Sequence, residues 1–360
     1  MAVSKSLKQL YFSVFDGTET WASNVLVNYQ ERKDLKKFRP SEPVPKEYEK
    51  EYRAFWSKYG HFSPEWGWYY ASRNGIIDVK YIPHTIIYTK IDQHFNARKL
   101  GWGFNDKNYY SRIFTGIKQP ETLVRNFGAN IFTDSDYRQI SPEKALSIVL
   151  DSEEVICKPT MESGSGRGIE FWDCSKDEKS IADFINNSQN ADYTIQKIIK
   201  QHEELKRVHA NSINTVRICS LLLEDGVHIL SCCLRMGVDK SRVDNVTAGG
   251  ISCGIQRDGT LDKYAYNYYT GERVDTHPQG FVFLGKKVPS FDKAVDLVMK
   301  AHPMIPHFRL VSWDIAIDAV GDALLIEANM RKGGINLHQF SNGPLFGDLT
   351  ERVLDEVYLR

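Results

Sequence analysis

The stretch Val311-Ser-Trp-Asp314-Ile-Ala-Ile-Asp318-Ala-Val-Gly321-Asp322-Ala-Leu-Leu-Ile-Glu327-Ala-Asn329 alternates apolar and polar residues on both sides of a Gly-Asp pair. Alternation marks a half-buried strand, and glycine at the first position of a two-residue turn suits a type II′ hairpin. A turn at Gly321-Asp322 places Asp314 opposite Asn329, Ala316 opposite Glu327 and Asp318 opposite Leu325. Those six side chains share one face. Ile315, Ile317, Ala319, Leu324, Ile326 and Ala328 share the other, and all are apolar. One face then meets a core, while the other gathers Asp314, Glu327 and Asn329 within reach of one cation. Carboxylate and amide oxygens with no His or Cys beside them select a hard ion, Mg²⁺ above all when phosphates complete its shell. A solvated acidic face is the plain alternative. Against it stands Met330-Arg-Lys-Gly-Gly-Ile, a glycine-rich turn open to anions that follows at once.

A second feature lies upstream. The strand-like run 155–158 ends in Lys158, a loop containing Ser163, Gly164, Ser165, Gly166 and Gly168 follows, and a second strand-like run begins at Ile169. Glycines let backbone N–H groups turn toward an anion. A dinucleotide or P-loop site needs that loop to open a helix, and in protein kinases the loop precedes its lysine. Here the lysine comes first and the loop opens a strand, so the segment reads as a flap across a hairpin. An ordinary Gly/Ser turn is the competing reading.

Arg217 and Arg235 sit inside the apolar runs 215–223 and 228–236. A buried guanidinium without an anionic partner is costly. The partner is either a core carboxylate or a phosphate or carboxylate of a substrate, and the sequence leaves both open.

Composition narrows the class. Lys plus Arg and Asp plus Glu are both 46, giving a formal charge of zero, which removes the usual warrant for a nucleic-acid or anionic-membrane surface. Apolar residues at 42% and charged residues at 26% fit a globular chain. No apolar run reaches the ~18 residues of a membrane span. With no secretory pattern at the start of the sequence, the expected compartment is cytoplasmic. Six cysteines without a CxxC pair read as buried, reduced thiols.

Short β-branched runs alternating with helical patterns (175–186, 291–302 and 347–358) predict an α+β architecture dominated by antiparallel sheet. Strands are expected at 155–158, 193–199, 215–223, 228–236 and 281–283, and an amphipathic helix near 48–59. The aromatic-rich region 55–110 reads as core, with sugar stacking the alternative. The divisions expected are 1–60, an N-terminal helical extension; 61–150, a mixed region; 151–205, a lobe with the flap; and 206–360, a lobe with the metal site.

Taken in order, Ile156-Cys-Lys158-Pro, the loop 164–168, Gln196-Lys197-Ile-Ile, Asn214-Thr-Val-Arg217, Asp244-Asn-Val-Thr-Ala-Gly-Gly-Ile, Asp314 and Glu327-Ala-Asn329 resemble the ATP-grasp enzymes. The likeness is to the bacterial sugar-transfer-associated branch found with polysaccharide biosynthesis, and it covers roughly 105–345. The resemblance implies two α+β lobes whose antiparallel sheets grip ATP, preceded by an N-terminal helical or mixed region. It assigns Lys158 to the α/β-phosphates and the Gly164–Gly168 flap to their cover, with Ser163 among the nucleotide-binding residues. Gln196, Lys197 and Ile198 would read adenine, Glu203 or Glu204 would meet the ribose, and Asn245 would join the nucleotide site. Asp314, Glu327 and Asn329 match the Mg²⁺ ligands. Arg217 and Arg235 match positions at the γ-phosphate or acyl group. A further phosphate cation falls on Lys107 or Arg112. Arg331, Lys332 and His338 are candidates for the acceptor pocket by proximity.

The activity implied is ATP-dependent ligation of a small-molecule carboxylate to an amine, sugar-linked substrates included, through an acyl phosphate. The partners expected include no nucleic acid and no membrane span. A kinase of the same fold acting on a hydroxyl, or a non-catalytic nucleotide-binding scaffold, are the rival readings.

Overall fold

The computed structural model describes residues 42–128, 131–161, 168–187, 192–244, 249–267, 271–331 and 333–359. Ser163, Gly164, Ser165, Gly166, Asn245 and Lys332 lie outside the described residues. Two compact units are present. One joins the chain up to Phe95 with Gly343–Arg360, and the other is Asn96–Asn342. Gly343–Arg360, grouped by sequence with the preceding lobe, thus packs with the N-terminal part of the chain.

The first unit is helical. Helix α1 (Lys46–Trp56) carries Tyr48, Tyr52 and Trp56 four residues apart, so all three meet the core on one face. Helix α2 (Pro64–Asn74) opens on Ser63, whose hydroxyl accepts the Glu65 N–H, and stops at Gly75 in the left-handed conformation. Gly67 lets the two helices touch, since a Cβ there would stand 2.1 Å from the Tyr48 hydroxyl. Trp66, Tyr69, Tyr70 and Tyr81 are buried as well, so these aromatics are core, while Trp102 and Tyr109 of the same region are exposed. The C-terminal helix Thr350–Leu359 belongs to this unit, where Asp355 accepts hydrogen bonds from Lys58 and Tyr59.

The second unit holds two antiparallel sheets. Strands β1 (Thr122–Asn126), β2 (Phe132–Thr133), β3 (Gln139–Ile140), β4 (Glu154–Pro159), β5 (Glu170–Asp173) and β6 (Tyr193–Lys197) form the first, in the order β3-β2-β1-β6-β4-β5. Val155, Cys157, Tyr193 and Ile195 pack beneath helices α3 (Pro142–Leu150) and α4 (Glu178–Asn187). Strand alternation therefore turns Ile156, Lys158, Thr194 and Gln196 to the opposite face.

The second sheet contains β7 (Thr215–Leu223), β8 (Gly226–Met236), β9 (Ile251–Ile255), β10 (Leu261–Asn267), β11 (Arg273–Val274), β12 (Leu310–Ile317) and β13 (Ala323–Asn329). Its order is β11-β10-β9-β8-β7-β12-β13. Val216, Ile218, Leu234, Trp313 and Ile315 pack with helix α5 (Phe291–Ala301) in one core. The other face carries Thr215, Arg217, Ser231, Arg235, Ser252, Ser312 and Asp314, and is partly covered by helix α6 (Ile335–Asn342). At Gly254 on that face a Cβ would meet Asp262 at 2.1 Å and Asn342 at 2.7 Å, so glycine admits the end of α6.

Several sequence expectations need correction. The run 281–283 is not a strand, because only Val282 forms a bridge, to Thr276. The hairpin is not closed by two residues. Strand β12 ends at Ile317 and β13 starts at Ala323, and the Asp318 carboxylate caps the intervening loop by accepting N–H groups of Val320 and Asp322. The register follows suit: Asp314 faces Glu327, Ser312 faces Asn329, and a bulge falls between Asp314 and Ile315. One extra residue on β13 turns Leu325 into the core, which the sequence reading had put on the polar face.

Candidate functional site

The polar face of the second sheet carries a tight ion cluster. Asp314 stands opposite Arg217 on β7, which binds it in bidentate fashion at 2.6 and 2.5 Å. Arg235 on β8 adds a bond of 3.0 Å, and Asn329 donates to the second oxygen at 3.3 Å. Of the two readings open for the arginines, the core carboxylate is the partner found, and it is Asp314. Burial alone would raise the Asp314 pKa, but Arg217 and Arg235 overcome it and hold the carboxyl far below the usual range. Arg235 also lies 3.6 Å from Asp244, whose other oxygen accepts the Thr215 hydroxyl. Burial raises the Asp244 pKa in spite of Arg235.

Two lysines approach this cluster, Lys158 from β4 of the first sheet and Lys107 from the turn Lys107–Tyr109. Lys107 donates to Glu327 at 2.8 Å. Its turn is tied to β13 a second time, through the Tyr110 hydroxyl, which accepts the Ala328 N–H at 3.2 Å. Lys158 forms no hydrogen bond or ion pair among the described residues. Burial, then Lys107, push its ammonium down to about 8, against the pull of Glu327 and Asp244. A half-buried cation with no counter-ion among the described residues is able to receive an anion. Together Lys107, Lys158, Arg217 and Arg235 face Asp314, Glu327 and Asp244, leaving one positive charge in excess.

Asp314, Glu327 and Asn329 do gather on one face, near Lys158. Their availability differs. The two oxygens of Asp314 already accept four N–H groups. Glu327 Oε2 and Asn329 Oδ1 accept none among the described residues, so hard oxygen donors suited to Mg²⁺ are open there.

The remaining candidates separate. Arg112 is exposed and lies over the Tyr137 ring at 3.9 Å, away from the cluster that Lys107 joins. Gln196 and Lys197 pair within the sheet to β1 and β4, so Ile198 is the first residue of that stretch past the strand. A cavity of about 270 Å³ opens there, lined by Lys197, Ile198 and Ile199 from one side and Asp318, Val320 and Leu324 from the other. Glu203 and Glu204 pair with Lys206 and Arg207 on a surface helix. Gly168 has φ 73°, and a Cβ there would press on Pro159 at 2.9 Å. Arg331 lies over the Trp102 ring at 5.1 Å.

His338 is fully buried on α6. Its Nδ1 meets Ser231 at 2.9 Å, and burial followed by Arg217 pushes its pKa to about 3, so the ring is neutral. The cysteines are all free and buried, and burial pushes the Cys219 thiol up to about 12, far from a nucleophile. Sequence reasoning gave no role to Tyr110, Thr215 or Asp244, although Thr215 and Asp244 lie within the motifs quoted for the resemblance.

With this geometry in view, the sugar-transfer associated ATP-grasp family matches residues 88–354. The chain belongs to that family. No curated protein sequence matches this ATP-grasp chain. Among solved structures it is similar to the D-alanyl-alanine synthetase A of Vibrio cholerae, with 13% identity, a TM-score of 0.41, and coverage of 71% of this chain and 66% of that one. It is also similar to the ATP-grasp ligase PsnB in complex with a precursor peptide and AMPPNP, with 14% identity, a TM-score of 0.43, and coverage of 73% and 62%. D-cycloserine synthetase DcsG gives 12% identity, a TM-score of 0.42, and coverage of 72% and 73%. The chain thus spans slightly under two thirds of the length of the first two. Among the described residues, no helix is long and apolar enough to cross a membrane.

Proposed function

We propose that this ATP-grasp chain is an ATP-dependent carboxylate–amine ligase working through an acyl phosphate. One observation carries the reading: Lys158, half-buried and without an ion-pair partner among the described residues, converges with Lys107 on a carboxylate of the facing sheet. A triphosphate supplies the missing negative charge. Lys158 and Lys107 would hold its phosphates, the flap through Gly168 would cover them, and the cavity past Ile198 would take the base. Glu327 and Asn329 would hold Mg²⁺, with Asp314 beside them as the third proposed ligand. Bound there, the metal would supply charge neutralisation at the phosphates.

In the first step a substrate carboxylate oxygen forms a bond to the γ-phosphorus as the bond to the bridging oxygen breaks, releasing ADP. Arg217 and Arg235 stabilise charge on the transferred group. In the second step an amine nitrogen bonds to the acyl carbon, phosphate leaves, and the nitrogen gives up a proton. A carboxylate nucleophile needs no base. A hydroxyl does, and every carboxylate of the cluster already faces a cation. That favours the ligase over a kinase of the same fold.

The substrates proposed are a small carboxylate and an amine, sugar-linked ones among them, in surface polysaccharide or sugar-conjugate biosynthesis. The cytoplasm is the compartment that suits six free thiols. The test is a screen of uronic acids, nucleotide sugars and amino acids for ADP and phosphate release with hydroxylamine present. A hydroxamate formed with one carboxylate supports the ligase. ADP release with a phosphorylated alcohol and no hydroxamate contradicts it.

A further inference from the structure

Lys107 reaches its position from a turn that has no regular sheet pairing of its own. Its N–H donates to the Thr160 carbonyl at 3.3 Å, just past the end of β4. The next residue, Asn108, is fully buried and donates from Nδ2 to the Asn126 carbonyl at 2.9 Å. The Asp106 carboxylate accepts the Asn108 N–H at 2.9 Å, and the Tyr137 hydroxyl donates to the Asn108 carbonyl at 2.7 Å. That bond fixes the direction of a longer chain. With the Tyr137 proton committed, Ser111 must be the donor in its 2.6 Å bond to the same hydroxyl. Arg125 in turn donates to Ser111 at 3.2 Å. Arg125, Ser111, Tyr137 and Asn108 form one directional relay ending at the carbonyl of Asn108, the residue after Lys107.

Two further features mark Tyr137. It has φ 63°, a left-handed conformation that costs a bulky residue ~1–2 kcal/mol. The guanidinium carbons of Arg112 and Arg125 lie 3.9 and 4.0 Å from its ring centroid. Two such groups cannot occupy one face, so the ring is clasped between them. Arg125 is buried and forms no ion pair among the described residues, and the ring face helps to offset its desolvation.

We infer that Tyr137 is a positioning residue that holds Lys107 in the phosphate site, and that Arg112 acts on the site only by clasping Tyr137 from its outer face. This rests on the reading of Lys107 as a phosphate contact. It gives Arg112 a role without placing it on the nucleotide.

The experiment is ADP binding by titration calorimetry on the full chain, with melting of each unliganded variant alongside. Lys107→Ala and Tyr137→Phe are each expected to weaken ADP about tenfold, with Tyr137→Phe melting within a few degrees of the parent. The double variant is expected to bind no more weakly than Lys107→Ala alone. Arg112→Ala is expected to weaken ADP in the parent and not in the Tyr137→Phe background. Unchanged affinity in Tyr137→Phe beside a weakened Lys107→Ala overturns the positioning role, as do fully additive effects in the double variant. Independent weakening by Arg112→Ala returns that residue to the phosphates. No effect from Lys107→Ala removes the phosphate reading itself, a failure distinct from the others. Should Tyr137→Phe not fold, Ser111→Ala breaks the same relay and is held to the same outcomes.

Discussion

Asp314 and Glu327 stand directly opposite one another on paired strands, yet each answers to a different cation. Asp314 is buried beneath Arg217 and Arg235, whereas Glu327 is partly exposed and reaches Lys107 alone. The two carboxylates should therefore separate stability from activity. Asp314→Ala leaves two guanidinium groups without their shared anion, and a loss of about 3–5 kcal/mol is expected. Glu327→Ala gives up one partly solvated pair, so about 0–1 kcal/mol is expected, with most ATP turnover gone. Urea unfolding and ADP release, measured on both variants, check the pair. Normal turnover in Glu327→Ala would remove the metal assignment.

Lys158 presents the converse case. Its charge is costly in the unliganded fold and needed by the ligand. Lys158→Met keeps the volume and removes the charge, so the unliganded protein is expected to gain about 1–3 kcal/mol while ADP affinity falls at least about tenfold. Thermal melting with and without ADP reads both effects. A destabilised variant that still binds ADP would contradict this account of the site.

The same lysine sets a pH dependence. Its ammonium titrates near 8 in the fold, against an ordinary value of 10.5. Between those values the unfolded chain binds more protons, so stability from this group rises with pH, and is lost as pH falls through about 8. Nucleotide binding runs the other way, since it needs the ammonium. ADP affinity is expected to hold below pH 8 and to fall about tenfold by about pH 9, with Lys158→Met flat across the range. Calorimetry at the two pH values tests it, and parallel slopes for parent and variant would count against Lys158 as the titrating group.

Much of this arrangement can be read from residue order alone. The acidic hairpin, the lysine-tipped strand and the two arginines in apolar runs are local patterns, and each landed on the expected strand. The register did not. Leu324, Leu325 and Ile326 are all apolar, so the alternation that would reveal a bulge is silent there, and the Asp318 side chain closes the loop together with a backbone turn at Asp318–Gly321. Partners were beyond reach for a different reason. Arg217 and Asp314 are 97 positions apart and meet only because β7 and β12 are neighbours in the sheet. That Lys107 meets Glu327 while Arg112 lies over the Tyr137 ring was likewise out of reach, since the left-handed backbone of Tyr137 has no sequence signal. Short helices such as α6 were passed over because their amphipathic pattern is brief.

Helix α6 offers a check on the packing behind the ion cluster. Gly254→Ala would drive a methyl group into Asp262 and Asn342, and backbone at Ser341 blocks the remaining space at 2.9 Å. A loss of about 1–3 kcal/mol is expected, together with weaker turnover as His338 shifts from Ser231. Unfolding and turnover of that variant give the answer, and an unperturbed protein would mean that α6 is not held where Gly254 admits it.

The most direct measurement is a crystal structure with AMPPNP and Mg²⁺. The expected result has the phosphates in contact with Lys158 and Lys107, the Lys107–Glu327 pair broken, and the metal on Glu327 and Asn329. A nucleotide bound elsewhere, with Lys158 still unpaired, would contradict the account.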